Sequence, residues 1–142
     1  MNWKKIKAKG MCPVFYLSFF VMAQNMIPAN QPYSSVDSLS HHSAGENGYF
    51  QETYSLRAQR KTGFKIHVSS FKFNPRLKLL KGDELIAEAA GAKRYYDAGW
   101  DWHAVLEGAL EAKTAYRLIV SSEEKGATGE FSIDYIPETG SK

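Results

Sequence analysis

The chain is short of the residues that most often carry chemistry. Cys12 is the single cysteine in 142 residues, so no disulfide can form within the chain and no cysteine-rich zinc site is possible. The four histidines, His41, His42, His67 and His103, are not spaced as convergent metal ligands. No serine sits in a nucleophile-elbow context, which leaves a Ser-His-Asp arrangement without an anchor. These absences argue against an enzyme. Long apolar runs are missing too. The run from Met11 to Ala23 is well short of the roughly 20 residues that cross a bilayer.

That run has another meaning. It follows Lys4, Lys5, Lys7 and Lys9, a positive start before an apolar stretch, and Val21-Met22-Ala23 suits a processing site. Residues 1–23 therefore read as a signal peptide cut after Ala23, with an uncut membrane anchor as the alternative. A lipid-modified Cys12 is disfavoured, because Lys9-Gly10-Met11 is not an apolar, small-residue approach. Export to the periplasm or the medium is expected, with no stable membrane anchor after cleavage. Loss of the four lysines turns the formal charge of +3 into −1. The basic character belongs to the leader, and nucleic acid is excluded as an expected partner.

What remains must be held together by a hydrophobic core alone, and its pattern is that of strands. Phe64, Ile66 and Val68 alternate with Lys65, His67 and Ser69. Asn74-Pro75 breaks the chain at a corner, since proline fixes φ and removes a donor; Leu77 and Leu79 then resume the alternation. Earlier, Phe50, Tyr54, Leu56 and Ala58 share a face, and Arg60-Lys61-Thr62-Gly63 reads as a turn, so this segment and the Phe64 strand are expected to form a hairpin. Lys81-Gly82-Asp83 is a further turn. Asp83 to Lys93 and Ala104 to Lys113 are rich in helix formers but also alternate, and their strand neighbours favour strands. Tyr116, Leu118 and Val120 form one late strand; Phe131, Ile133 and Tyr135 form the last, which Pro137 should stop. The expected organisation is a signal peptide at 1–23, a linker at 24–48 with a short first strand near Val36 and Leu39, a β-sandwich at 49–137 and a tail at 138–142.

Four stretches, in order, resemble the bacterial pre-peptidase C-terminal domain family. Tyr54-Ser55-Leu56 is similar to that family's early Tyr-x-Phe strand, and Phe73-Asn74-Pro75-Arg76-Leu77-Lys78-Leu79 to its Phe-Asp-Pro-x-Leu-x-Leu corner. Thr114 to Val120 is similar to its Gly-Thr-Tyr-x-Ile-x-Val strand, and Gly129-Glu130-Phe131-Ser132-Ile133 to its closing strand. The resemblance implies an all-β, antiparallel β-sandwich with jelly-roll-like topology, and an exported, non-catalytic module with a binding or accessory role. It also implies calcium in some relatives. Here the family's acidic turn is reduced to Asp97, with Asp101 further on, and the corner acid is Asn74. No cofactor is therefore expected, and calcium has little support.

The stretch Ala92 to His103 reads as a loop and holds four aromatic rings. Tyr95, Tyr96, Asp97, Trp100, Asp101 and Trp102 are the candidate ligand-binding residues. The rings could stack on a sugar or clamp a peptide while the acids accept hydrogen bonds. Alternatively they plug the open end of the sandwich, because aromatic side chains carry large buried area. A protein or polysaccharide ligand fits the first reading. A structural envelope domain docking a protein partner is the alternative function.

Overall fold

The computed structural model describes residues 25–41 and 47–138. The expected signal peptide and all but the first residue of the expected tail lie outside that range. The described residues contain ten strands and no helix. In chain order they are β1 (Met26–Pro28), β2 (Tyr33–Leu39), β3 (Glu52–Arg57), β4 (Thr62–Ser70), β5 (Pro75–Lys81), β6 (Glu84–Ala90), β7 (Ala92–Tyr96), β8 (Gly99–Leu110), β9 (Ala115–Ser122) and β10 (Gly129–Glu138).

Pairing follows a simple plan. The turn at Gly82, with φ +62, folds β5 against β6, pairing Leu79 with Ala87. Outside that pair β4 lies against β8 (Ile66 with Leu106), then β3 against β9 (Ser55 with Arg117), then β2 against β10 (Val36 with Ser132). The chain is thus one long antiparallel hairpin, rolled so that successive layers fall in alternate sheets. The first sheet runs β1-β3-β9-β5-β6 and the second β2-β10-β4-β8-β7. This is the all-β sandwich that the alternation favours, with the jelly-roll winding that the family resemblance implies. All pairs are antiparallel except the short β1, which lies parallel to β3.

Alternation puts one face of each sheet inside. The first sheet contributes Tyr54, Leu56, Leu77, Leu79, Tyr116, Leu118 and Val120 to the core. The second contributes Phe64, Ile66, Val68, Leu106, Phe131, Ile133 and Tyr135. Phe64 stacks on Tyr135, and Phe73 meets Phe131 edge-on. Buried tyrosines need partners for their hydroxyls, and all three have them. Tyr54 donates across the core to the Asp37 carboxylate, Tyr135 donates to the Ala29 carbonyl at 2.8 Å, and the Tyr116 oxygen accepts from Glu111 N–H. Burial pushes the Tyr135 phenol up to about 12. Burial, reinforced by the bond to Asp37, raises Tyr54 further still.

Two of the corners that carry the chain between sheets support each other. Asn74-Pro75 leads from β4 to β5, as expected, and Gly91 leads from β6 to β7. Gly91 N–H donates to the Pro75 carbonyl at 2.9 Å. A Cβ on Gly91 would come within 3.0 Å of Pro75 Cδ, so the two chains can touch only where the side chain is absent.

Several expectations are corrected. β3 and β4 are not a hairpin: they lie in different sheets, Arg60 and Lys61 belong to the crossing between them, and Thr62 and Gly63 already open β4. Both β1 and β2 fall within 24–48, so much of the expected linker is sheet, with Val36 facing outward and Leu39 inward. The segment 92–103 is not a loop but the β7–β8 hairpin. Pro137 does not stop β10, which continues to pair with β4 through Glu138. Beyond Tyr135 that strand has lost its β2 neighbour, the edge situation in which proline is tolerated.

Candidate ligand-binding site

The β7–β8 hairpin turns at Asp97-Ala98 and enters β8 through Gly99, whose φ of +150 suits glycine. Its register decides what the candidate residues can do. Lys93 pairs with Trp102 and Tyr95 with Trp100, so these four side chains share one face. Arg94 pairs with Asp101 and stands on the other face, together with Tyr96 and His103. The hairpin has an aromatic face and a polar face, and the candidate residues are divided between them.

On the aromatic face Trp100 and Trp102 meet edge to face with ring centroids 5.5 Å apart. The Lys93 ammonium lies over both, 4.7 Å from the Trp100 ring and 5.6 Å from the Trp102 ring, a cation–π arrangement. Trp102 is half-buried, whereas Trp100 is 41% exposed and Tyr95 71% exposed. Trp102 thus anchors the cluster, and Trp100 and Tyr95 present rings to solvent.

The polar face is internally satisfied. Arg94 grips Asp101 with two bonds, Nε to Oδ1 at 3.2 Å and Nη2 to Oδ2 at 3.0 Å. Tyr96 donates its hydroxyl to Oδ2 at 2.6 Å, and the Arg94 guanidinium lies over the Tyr96 ring. Burial alone would raise the Asp101 carboxyl. The bonds from Arg94 and Tyr96 outweigh it and hold the carboxyl below its usual range. The same bond raises Tyr96 and Arg94. Next to them His103 meets His67 with ring nitrogens 3.0 Å apart. Burial, then the nearby Arg94 charge, depresses His103.

The expected site residues are divided between the two faces. Asp101 is buried, faces away from Trp100 and Trp102, and is bound by Arg94 and Tyr96. Tyr96 goes with Asp101 rather than with the other rings. Asp97 is exposed in the turn. A carboxylate held by a guanidinium is not a free calcium ligand, and among the described residues no cluster of three or more His, Cys, Asp or Glu is placed to hold a metal ion. Lys93 is not among the expected residues. Its signal is in the sequence, since Lys93 and Tyr95 alternate with Arg94 and Tyr96 just as Trp100 and Trp102 alternate with Asp101 and His103.

No family model matches the chain, and no curated protein matches it. A solved structure is similar to it. The pre-peptidase C-terminal domain of a collagenase from Bacillus anthracis superposes with a TM-score of 0.48 at 12% identity, covering 80% of this chain and 93% of that domain.

Proposed function

We propose that this chain is an exported, non-catalytic binding module whose contact surface is the aromatic face of the β7–β8 hairpin, and that it takes a polysaccharide. The observation that supports this most directly is the pairing of Tyr95 and Trp100 across the hairpin, both exposed and on one face. Two neighbouring rings on a rigid two-stranded support present an apolar surface at low entropic cost, and flat sugar faces suit it. Lys93 covers part of the Trp100 ring, so Tyr95 and the outer part of Trp100 are the contacting surfaces. Trp102 and the Arg94–Asp101–Tyr96 group on the far side hold the hairpin in shape.

Trp100 and Trp102 are the two tryptophans of a chain cleaved after Ala23, so intrinsic fluorescence reports on the site. Titration with envelope and plant polysaccharides should shift or quench it saturably. Tyr95→Ala and Trp100→Ala should abolish the response, leaving the melting temperature nearly unchanged for Tyr95→Ala. A peptide array that binds while every polysaccharide fails would replace the ligand class. A collapse in stability for Trp100→Ala as large as for Trp102→Ala would make the face a plug.

A second reading has its own observation. β6 is an edge strand of the first sheet, and Leu85 and Ile86 on it are both exposed. An apolar edge can accept a strand from a protein partner. Leu85→Lys should abolish such association in size-exclusion with envelope extract.

A further inference from the structure

We propose that the outer face of the first sheet carries a second site, distinct from the hairpin, for an acidic sugar. Outward positions of β5 and β9 meet there in register. Arg76 stands beside Ser121 and Lys78 beside Ile119, with Arg117 one outward position further along β9. These residues, with Asn47, Tyr49 and Gln51, line an open cleft of about 380 Å³, within the usual range of small-ligand sites, about 300–1,000 Å³. Three cations lie in the lining and no carboxylate does.

The cations are only loosely compensated. Arg76 has Glu123 at 3.9 Å, and Arg117 has Asp83 at 4.0 Å and donates to the Gly82 carbonyl at 3.2 Å; none of these partners is in the lining. Lys78 faces Glu88 across the β5–β6 register, yet no ion pair joins them. Like charges on neighbouring strands oppose one another, and an arriving anion relieves that cost. In a processed chain of formal charge −1 this concentration of positive charge is local rather than general.

The remaining lining argues for a sugar over a peptide. Asn47, Gln51 and Tyr49 offer groups that bond hydroxyls, and Ser121, whose own hydroxyl donates to the Phe50 carbonyl, retains acceptor capacity. Apolar surface for anchoring peptide side chains is limited to Ile119 and one ring. The cleft also lies on a sheet face, where no unpaired strand edge is offered for backbone pairing. A hexuronate matches this set: its carboxylate fits the guanidinium forks of Arg76 or Arg117, and its ring hydroxyls meet the amides.

Calorimetric titration of the purified protein at low ionic strength tests the assignment, with trigalacturonate, neutral galactotriose and triglutamate as probes. Trigalacturonate should bind saturably and galactotriose should not. Lys78→Gln and Arg117→Gln should each weaken binding by about tenfold, as charge-assisted contacts are lost. Raising salt should weaken it in the unaltered protein as well. Trp100→Ala should leave it unchanged, which separates this site from the hairpin. Absence of saturable trigalacturonate binding would overturn the proposal, as would binding that survives the Lys78→Glu/Arg117→Glu double variant. Triglutamate binding as tightly as trigalacturonate would overturn the sugar assignment.

Discussion

Asp101→Asn separates a structural carboxylate from a ligand-binding one. Asparagine keeps the shape but loses the charge that Arg94 grips through two bonds and Tyr96 through a third. A hydrogen bond to a charged group contributes about 1.5–3 kcal/mol when buried. The Arg94 side chain is 41% exposed, so water screens the pair and re-solvates the guanidinium once it is released, and the expected net cost at pH 7 is about 1–2 kcal/mol. The pH dependence follows from the depressed carboxyl. Its contribution is fully present above the ordinary carboxylate value near 3.8 and is lost as pH falls through the lower folded value. The stability gap between the unaltered protein and the Asp101→Asn variant should therefore close on acidification. Urea unfolding followed by circular dichroism at pH 7 and pH 3 measures both gaps. Equal midpoints at pH 7, or a gap as wide at pH 3, would refute the reasoning. Binding through the aromatic face should survive the substitution, because Asp101 points the other way.

Further outcomes follow from single positions. Leu79→Ala should cost about 2–5 kcal/mol and Lys78→Ala under about 0.5 kcal/mol, since the two point to opposite sides of β5; equal effects in denaturant melts would contradict the strand. Gly129 has φ +132, and a Cβ there would press on Lys72 Cβ and lie 2.6 Å from its Cγ. Gly126 has φ +73 with open space around it. Gly129→Ala should thus cost clearly more than Gly126→Ala, for which about 1–2 kcal/mol of backbone strain is expected; equal midpoint shifts would mean that Lys72 yields freely. Intact mass of protein recovered from the envelope or medium should correspond to a chain starting at Gln24, and a product retaining Met1 would contradict the signal peptide.

Alternation makes most strands legible, because burial on one face leaves a period of two in the sequence. It identifies Ile66, Leu79, Leu118 and Ile133 as core. It does not say which strands pair. β3 and β4 are separated by turn-like residues whether the chain doubles back within one sheet or crosses to the other, and only the opposite sheet's need for a layer decides. The β7–β8 hairpin is obscured because neither face is fully buried, so bulky and polar residues alternate with little hydrophobic contrast. The shared parity of Trp100 and Trp102 already places Asp101 opposite them. The basic cleft is hidden for another reason: Arg76 and Lys78 lie some forty residues from Arg117, and nothing local shows that β5 and β9 are neighbours.

The nested winding makes the last of the described strands an interior one. β10 lies between β2 and β4, so the final strand is not trim on a finished body. Until it arrives, β2 has no neighbour and Tyr54 lacks the settled Asp37 it bonds across the core. Each outer layer closes a longer segment than the one inside it, and contacts so distant in sequence form slowly. The outermost layer, β2 against β10, can form only once both of these distant strands are present. Truncation before residue 129 removes an interior strand and strips the partner from the N-terminal segment at the same stroke.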